Sequence, residues 1–93
     1  MQEKSVRVVV RGRVQGVGYR AWLARCALDL EVKGWVRNRS DGTVEAVLLG
    51  PASAVDMMLG LCGKGPRFCE IEAVEASPVV NEGWPDFSVR PTR

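Results

Sequence analysis

The chain has 93 residues, with 13 basic and 11 acidic side chains and a formal charge of +2. That length suits one domain with a modest core, and the small charge gives no argument for a nucleic-acid or membrane partner. The chain has no histidine, which excludes imidazole bases, Ser–His and Cys–His nucleophile pairs and the most common metal ligand. We therefore expect residues 1–93 to form a single domain. We also expect this domain to be a monomer and to use no metal or other cofactor.

Residue spacing predicts a strand followed by a helix in the first third of the chain. The strand covers Ser5–Arg11, where valines 6, 8 and 10 alternate with the other residues, as in a half-buried strand. The helix covers about Arg20–Val32, because apolar residues recur there at helical spacing. Lys33 and Gly34 then provide a basic last turn and a glycine stop.

The middle and end of the chain predict a hairpin, a second helix and two more strands. Asp41–Gly42 lies between two strand-like segments, Gly34–Asn38 and Thr43–Leu49, and is typical of a hairpin turn. Pro51 suits the first turn of the second helix, which ends at Gly63 and Gly65. The remaining strands are predicted over Phe68–Ala76 and Phe87–Arg90.

The order β-α-β-β-α-β, with one additional short strand possible, predicts an α+β fold. It is the ferredoxin-like split βαβ arrangement, an antiparallel sheet with two helices on one face. Topology alone does not identify a function, because this arrangement supports many functions.

The start of the chain and its cysteines indicate a cytoplasmic protein. Met1–Lys4 is a short polar segment without an export-type apolar run behind it, and no run approaches the length of a membrane span. Cys26, Cys62 and Cys69 are an odd number with no CxxC spacing, which indicates free thiols. Cys26 and Cys62 fall at apolar helix positions, so we expect core roles rather than a nucleophile or metal site.

The segment Gly12–Arg20, GRVQGVGYR, has the composition of an anion-binding loop. Gly12, Gly16 and Gly18 allow positive φ and close approach to a ligand, so successive N–H groups can point inward before the following helix. Arg20 lies in the first helical turn, where the helix dipole disfavours a cation by about 0.3–1 kcal/mol unless an anion lies between them. An ordinary turn with a solvated arginine is the alternative.

Asn38 is the second candidate residue. Asparagine is a poor strand former, yet Asn38 shares a strand face with Val36, which is expected to point into the core. A polar side chain is therefore predicted at the rim of the core. The alternative is a turn residue that bonds its own backbone before the hairpin.

Together, GRVQGVGYR and GWVRNRSDGTVE resemble the two signature motifs of the acylphosphatase family in type and order, and the resemblance extends from Val6 to Arg90. It implies that Arg20 binds phosphate and that Asn38 orients the attacking water. Tyr19 stands where the family often has phenylalanine, a change that keeps the ring. The segment Asn81–Pro85, which includes Trp84, is less typical of the family.

The resemblance implies a hydrolase that cleaves the carboxyl–phosphate bond of acyl phosphates to a carboxylate and inorganic phosphate. Phosphate would be bound by Arg20 and by the backbone amides of residues 15–20, namely Gln15, Gly16, Val17, Gly18, Tyr19 and Arg20. No metal or cofactor is expected, and inorganic phosphate should compete with the acyl phosphate substrate.

Two binding modules remain as alternatives. An RNA-binding module can have the same element order, but it uses an aromatic cluster on the open sheet face. Here that face is predicted to carry Trp35 as its single aromatic residue, among the arginines Arg7, Arg11, Arg37 and Arg39. A non-catalytic phosphate-binding module would retain the glycine loop but would have no need of Asn38.

Overall fold

The computed structural model describes residues 2–93, which form one five-stranded sheet and two α-helices. The elements in chain order are β1 (Glu3–Arg13), α1 (Tyr19–Asp29), β2 (Lys33–Asn38), β3 (Val44–Pro51), α2 (Ala52–Lys64), β4 (Glu70–Pro78) and β5 (Phe87–Val89). The predicted β-α-β-β-α-β order is confirmed, and β5 is the additional short strand. Neither helix within these residues has the length and apolar character needed to cross a membrane.

The sheet has the strand order β4-β1-β3-β2-β5 and is mixed, so the prediction of a purely antiparallel sheet is wrong in one pair. β1 pairs antiparallel with β3 and β4, and β2 pairs antiparallel with β3. β5 runs parallel to β2, with Val36 opposite Val89. β5 is parallel to β2 because both strands begin at the same end of the sheet. The connection over residues 79–86 crosses that end, from the edge strand β4 to the edge strand β5.

The core lies between the sheet and the two helices. α1 packs against β2 and β5, and α2 packs against β1, β3 and β4. Alternate residues of the strands supply the sheet side of this core, including Val8, Val36 and Leu48, all fully buried. The valine alternation of the first strand therefore identified the buried face correctly.

Helix α1 ends earlier than predicted, at Asp29 rather than near Val32. Glu31 adopts a positive φ of 57°, and the amide of Val32 donates back to the carbonyl of Ala27 at 2.8 Å, which closes the helix. Gly34, expected as the stop, lies inside β2, where a Cβ would overlap the carbonyl oxygen of Val47. Close strand packing, rather than helix termination, requires that glycine.

Two other predicted boundaries shift for local reasons. Pro51 is the last residue of β3 and immediately precedes α2, instead of lying in its first turn. β4 begins at Glu70 because Phe68 has a positive φ of 72°, which is incompatible with a strand. The Asp41–Gly42 hairpin between β2 and β3 is confirmed.

Candidate functional site

The loop of residues 14–18 joins β1 to α1 and leaves open space beside two of its glycines. Gly16 and Gly18 have φ values of 74° and 81°, and a Cβ at either position would meet no atom of residues 2–93 within 4 Å. Backbone conformation therefore favours glycine at these positions, and a ligand can approach the main chain closely. Gly12 serves a different purpose: it lies at an irregularity of the β1–β4 pair, where a Cβ would overlap the carbonyl oxygen of Glu70.

The N-terminus of α1 has no anionic group of its own. Gly18 caps the helix without a side-chain hydrogen bond, and the first turn contains no acidic residue. The amide of Trp22 donates to the carbonyl of Gly18 at 3.0 Å, so the preceding amides of the turn remain available. Such a helix start is favourable for an anion because its N–H groups and its dipole both point toward the ligand.

Arg20 lies in this first turn and is half-buried. It forms no ion pair with a carboxylate among residues 2–93, whereas Arg7, Arg11 and Arg37 each do. Arg20 lines a cavity of about 220 Å³, together with Val14, Gly16, Gly18, Tyr19, Ala21 and Val89. The structure thus brings Arg20 and the glycine loop to one cavity.

Asn38 is buried at the end of β2, on the same face as Val36. Its Oδ1 is enclosed and accepts no hydrogen bond from any residue in the described part of the chain. The turn chemistry that was the alternative for Asn38 belongs to Asp41, whose Oδ1 accepts from the amide and hydroxyl of Thr43 at 3.0 and 2.6 Å. These two bonds, the hydroxyl bond first, lower the pKa of Asp41.

Asn38 does not line the cavity of Arg20, but sheet geometry places it nearby. Val89 of β5 lies opposite Val36, and opposed residues share a face, so Val89 and Asn38 point to the same side of the sheet. Asn38 is two residues beyond Val36, a displacement of about 7 Å along the strand and about 5 Å across to β5. Asn38 therefore lies beside the wall of the cavity that Val89 forms.

Gln15 connects the glycine loop to the hairpin that carries Asn38. Its Nε2 donates to the carbonyl oxygens of Arg39 and Thr43, both at 2.8 Å. The sequence prediction assigned only the backbone amide of Gln15 to the site and missed this side chain. The sequence does contain an indication of this role, because Gln15 is the one long amide side chain in a loop otherwise made of glycine and valine.

The C-terminal residues also fix the backbone of Asn38. The amide of Arg93 donates to the carbonyl oxygen of Asn38 at 3.1 Å, and the amide of Ser40 donates to the carbonyl oxygen of Arg93 at 2.9 Å. One further bond of 2.9 Å joins the amide of Arg90 to the carbonyl oxygen of Val36. Asn38 is thus held from its β5 side by the tail and from its β3 side by the hairpin.

Tyr19 anchors the start of α1 to the core. Its ring is 1% exposed, and its hydroxyl donates to the carbonyl oxygen of Cys62 in α2 at 2.9 Å. Burial raises the pKa of this hydroxyl far above its ordinary value. Tyr19 is therefore a neutral structural residue. A phenylalanine at this position could not make the hydrogen bond to Cys62.

The three cysteines are free thiols. Cys62 is fully buried, and burial raises the pKa of its thiol to about 11. Cys26 is half-buried, and burial likewise raises the pKa of its thiol. Among residues 2–93, no three cysteine or acidic side chains cluster in a way that could hold a metal ion.

The open face of the sheet carries an ion-pair cluster rather than an aromatic platform. Glu45, nearly buried, accepts hydrogen bonds from Arg7 and from Arg37, the latter at 2.7 Å. Burial alone would raise the pKa of Glu45, but the bonds from the two arginines outweigh it and lower that pKa. Trp35 is 8% exposed and lies under the guanidinium groups of Arg37 and Arg90, so its ring is covered.

Comparison with known proteins identifies one family. A family model described as Acylphosphatase matches residues 6–89. An acylphosphatase of Nitrobacter hamburgensis is 55% identical over 79 residues, covering 85% of this chain and 80% of that protein. An acylphosphatase of Rhodospirillum rubrum is 44% identical over 89 residues, covering 96% and 98%.

Solved structures agree with the sequence comparison. The structure of an acylphosphatase from Coxiella burnetii superposes with a TM-score of 0.91 at 34% identity, covering 95% of this chain and 93% of that one. The acylphosphatase from Bacillus subtilis gives the same TM-score at 32% identity, covering 96% and 99%. The two superpositions therefore cover most of the length of both acylphosphatases.

Proposed function

Because the chain belongs to the acylphosphatase family and hydrolyses acyl phosphates, we propose that Arg20 and the amides of residues 15–20 bind the phosphoryl group while Asn38 orients the attacking water. The proposal is supported by the buried Oδ1 of Asn38, which has no hydrogen-bond partner among residues 2–93. Leaving a buried acceptor unpaired costs about 1–3 kcal/mol, so such a group requires an explanation. A water held for attack supplies the missing donor.

The leaving group explains why this site needs no general acid. Hydrolysis breaks the bond between phosphorus and the oxygen of the acyl group, and the product is a carboxylate whose conjugate acid has a pKa of roughly 4. Such a group departs as the anion without receiving a proton. The absence of histidine from the chain is consistent with this chemistry.

Phosphoryl transfer of this kind depends on positioning and on stabilising charge at the equatorial oxygens. The guanidinium of Arg20 supplies two parallel donors and a full positive charge, and the amides before Trp22 supply further fixed donors. These groups do not reorganise during the reaction, because the helix and the loop already hold them. They act where other phosphoryl-transfer sites use a metal ion.

Asn38 supplies orientation rather than basicity. Its Oδ1 accepts a hydrogen bond from the water, which directs an oxygen lone pair toward phosphorus. An amide does not take up a proton at neutral pH, so the proton of the water passes to an oxygen of the substrate phosphate. The products are then a carboxylate and a protonated inorganic phosphate, and no protein group changes its charge.

The remaining properties follow from the same account. We propose a single domain over residues 1–93, active as a cytoplasmic monomer whose three free thiols suit a reducing compartment. The RNA-binding alternative is disfavoured, since Arg7 and Arg37 pair with Glu45 and Trp35 is covered. The non-catalytic phosphate-binding alternative is also disfavoured, because it does not explain why Oδ1 of Asn38 is buried without a partner among residues 2–93.

The function is tested with an aromatic acyl phosphate, benzoyl phosphate, beside an ordinary phosphate monoester, each with and without EDTA. We expect rapid hydrolysis of benzoyl phosphate alone, competitive inhibition by inorganic phosphate, and unchanged rates in EDTA. Loss of activity in EDTA that magnesium or zinc restores would contradict the role given to Arg20 and the amides. Hydrolysis of the monoester at a comparable rate would contradict the dependence on a good leaving group.

A further inference from the structure

Several elements meet at the end of the sheet that carries the glycine loop. β1 has 11 residues, so this end lies about 33 Å from the end where β1 begins. Glu70, the first residue of β4, lies opposite Arg13, and Gln15 bonds the β2–β3 hairpin to the loop. A Cβ at Gly65, just after α2, would lie 3.5 Å from the ring of Tyr19. The hairpin, the start of β4 and the end of α2 therefore surround the loop.

This end of the molecule, which we call the basic end, has an excess of positive side chains. Its basic residues are Arg13, Arg20, Arg39, Lys64, Arg67 and Arg93. Its acidic residues are Asp41, Glu70 and Glu72. None of the basic side chains at this end forms an ion pair with a carboxylate of residues 2–93. Their charge therefore remains available to an anion from solution.

The opposite end of the sheet, where β1 and β2 begin, has the reverse balance. Its acidic residues are Glu3, Asp29, Glu31, Asp56, Glu82 and Asp86. Its basic residues are Lys4 and Lys33, and Lys4 already pairs with Asp56 at 2.7 Å. Between the two ends, Glu45 and Glu75 pair with arginines of the sheet. The formal charge of +2 is therefore the sum of a basic end and an acidic end.

The separation of charge produces a positive potential at the cavity of Arg20. The molecule measures 35 × 23 × 21 Å, and the Debye length is about 30 Å at 10 mM ionic strength. The basic end thus lies within one Debye length of the cavity, whereas the acidic end lies at the limit of that range. Arg13 is especially close, because it precedes Val14, which lines the cavity. Such a potential attracts anions and raises their local concentration.

We propose that the basic end steers anionic substrates into the cavity of Arg20 and makes the enzyme favour acyl phosphates that carry a further negative charge on the acyl part. This inference rests on the proposed function and adds a substrate class to it. Arg13 is a specificity residue in this account: it attracts the anion and takes no part in bond breaking. Its charge therefore affects kcat/KM and the binding of phosphate, and leaves kcat unchanged.

Arg13→Glu tests the proposal, with Lys33→Glu as the matched control. Both residues are exposed strand residues, and both variants change the charge equally, at opposite ends of the sheet. At about 10 mM ionic strength, we expect Arg13→Glu to lower kcat/KM for benzoyl phosphate about fivefold. At about 0.5 M, the loss should be less than about 1.5-fold, because salt screens the charge. Lys33→Glu should change kcat/KM by less than about 1.5-fold at both ionic strengths.

Three further measurements separate charge from shape. Arg13→Gln changes the charge by half as much as Arg13→Glu, so it should lower kcat/KM about twofold at about 10 mM ionic strength. Arg67→Glu, at an exposed loop residue, should also lower kcat/KM at low salt, and it replaces Arg13→Glu if that variant does not fold. 4-Carboxybenzoyl phosphate, which has one more carboxylate than benzoyl phosphate, should show the steeper dependence of kcat/KM on ionic strength.

Equal effects of Arg13→Glu and Lys33→Glu would overturn the proposal, because only the net charge would then matter. A loss that persisted at 0.5 M, or no loss in either Arg13→Glu or Arg67→Glu, would also overturn it. The same salt dependence for both substrates would contradict the substrate class. Calorimetry of inorganic phosphate binding at the two ionic strengths tests the steering without turnover. A wild-type protein that hydrolysed neither substrate would therefore contradict the proposed function alone.

Discussion

Arg20 is a permanent cation at the positive end of a helix dipole, an arrangement that costs about 0.3–1 kcal/mol without an anion. It is half-buried, it lines the cavity beside Gly16 and Gly18, and it pairs with no carboxylate in residues 2–93. Two other half-buried arginines, Arg7 and Arg37, instead pair with Glu45. Arg20 thus has the free charge that a dianionic phosphoryl group requires.

Arg20→Lys tests whether geometry or charge alone matters. Lysine keeps the charge but replaces a planar fork of donors with a single ammonium group, so bidentate binding of phosphate is lost. We expect kcat/KM to fall by about a hundredfold or more, a size typical of losing a fixed donor at a transition-state oxygen. Steady-state kinetics with benzoyl phosphate measure this fall in kcat/KM. A near-normal kcat/KM for Arg20→Lys would mean that only the positive charge is needed.

The sequence indicates candidate site residues where the chemistry of a side chain conflicts with its local structure. Arg20 conflicts with the helix dipole and Asn38 conflicts with a strand, and both conflicts are visible in the order of residues alone. The side chain of Gln15 was missed because its partners, the carbonyls of Arg39 and Thr43, are more than 20 residues away. Gly12 was assigned to the loop because the β1–β4 pairing that requires it is also distant in sequence.

In the proposed mechanism, the β1–α1 loop that binds phosphate and the β2–β3 hairpin that carries Asn38 must hold a fixed relative position. Gln15 joins them through two hydrogen bonds of 2.8 Å to the hairpin backbone. A displacement of about 1 Å in a catalytic geometry can reduce the rate by about a hundredfold. The Gln15 side chain therefore has a positioning role in our account.

Gln15→Ala removes both hydrogen bonds without adding bulk. We expect a loss of about 1–2 kcal/mol in the free energy of unfolding. We also expect kcat to fall by about tenfold or more while KM changes little, because the water moves and the phosphate site remains. Urea unfolding and steady-state kinetics provide the two measurements.

Ser5→Ala is the control for that variant. Ser5 donates to the carbonyl oxygen of Val79 at 2.7 Å, a bond of the same kind at the far end of β1. Its removal should lower stability by a similar amount and leave kcat unchanged. If Gln15→Ala behaved in the same way as Ser5→Ala, the Gln15 side chain would contribute to folding alone.

The elements themselves were predicted well where the signal is local and less well at their ends. The valines of β1 and the Asp41–Gly42 turn are patterns of a few residues, and both are confirmed. The end of α1 was placed too late because a positive φ at the end of a helix is expected of a glycine, here Gly34. In the structure, Glu31 adopts that positive φ although it carries a Cβ. Gly34 is required instead by its close packing against Val47 within the sheet, which local sequence does not show.

At the scale of the whole molecule, the parallel β2–β5 pair is the feature that the sequence did not predict. A three-residue strand carries almost no periodic signal, and its direction depends on the path of residues 79–86 across the end of the sheet. That pair nevertheless brings Val89 to the cavity and the tail to Asn38. The least family-like segment, Asn81–Pro85, lies within this connection.

The Glu45 cluster makes the stability of the whole fold depend on pH. Its two arginine bonds outweigh burial and hold the pKa of Glu45 below its ordinary value of 4.5. A carboxyl whose pKa is lowered by folding adds stability above about pH 4.5, and that stability is lost as the pH falls through the folded-state pKa. Acidification should therefore weaken the fold through this cluster.

Glu45→Gln tests this pH dependence. We expect a loss of about 1–3 kcal/mol in the free energy of unfolding at pH 7, since the pair is partly exposed on the side of Arg7. The difference from wild type should shrink as the pH falls below about 4.5. Glu75→Gln, which breaks the exposed pair with Arg11, should change stability by less than about 0.5 kcal/mol. If the difference in the free energy of unfolding between Glu45→Gln and wild type stayed constant down to pH 3, the lowered pKa of Glu45 would be contradicted.

In the proposed mechanism, Asn38 acts on the water and Arg20 acts on the phosphate. Asn38→Ala and Arg20→Ala, each shown to be folded by circular dichroism, are compared for kcat with benzoyl phosphate and for binding of inorganic phosphate by calorimetry. Asn38→Ala should bind phosphate within about twofold of wild type while its kcat falls by about a hundredfold or more, because the water interaction matters most in the transition state. Arg20→Ala should lose both properties. A folded Asn38→Ala variant that retains the wild-type kcat would contradict the account.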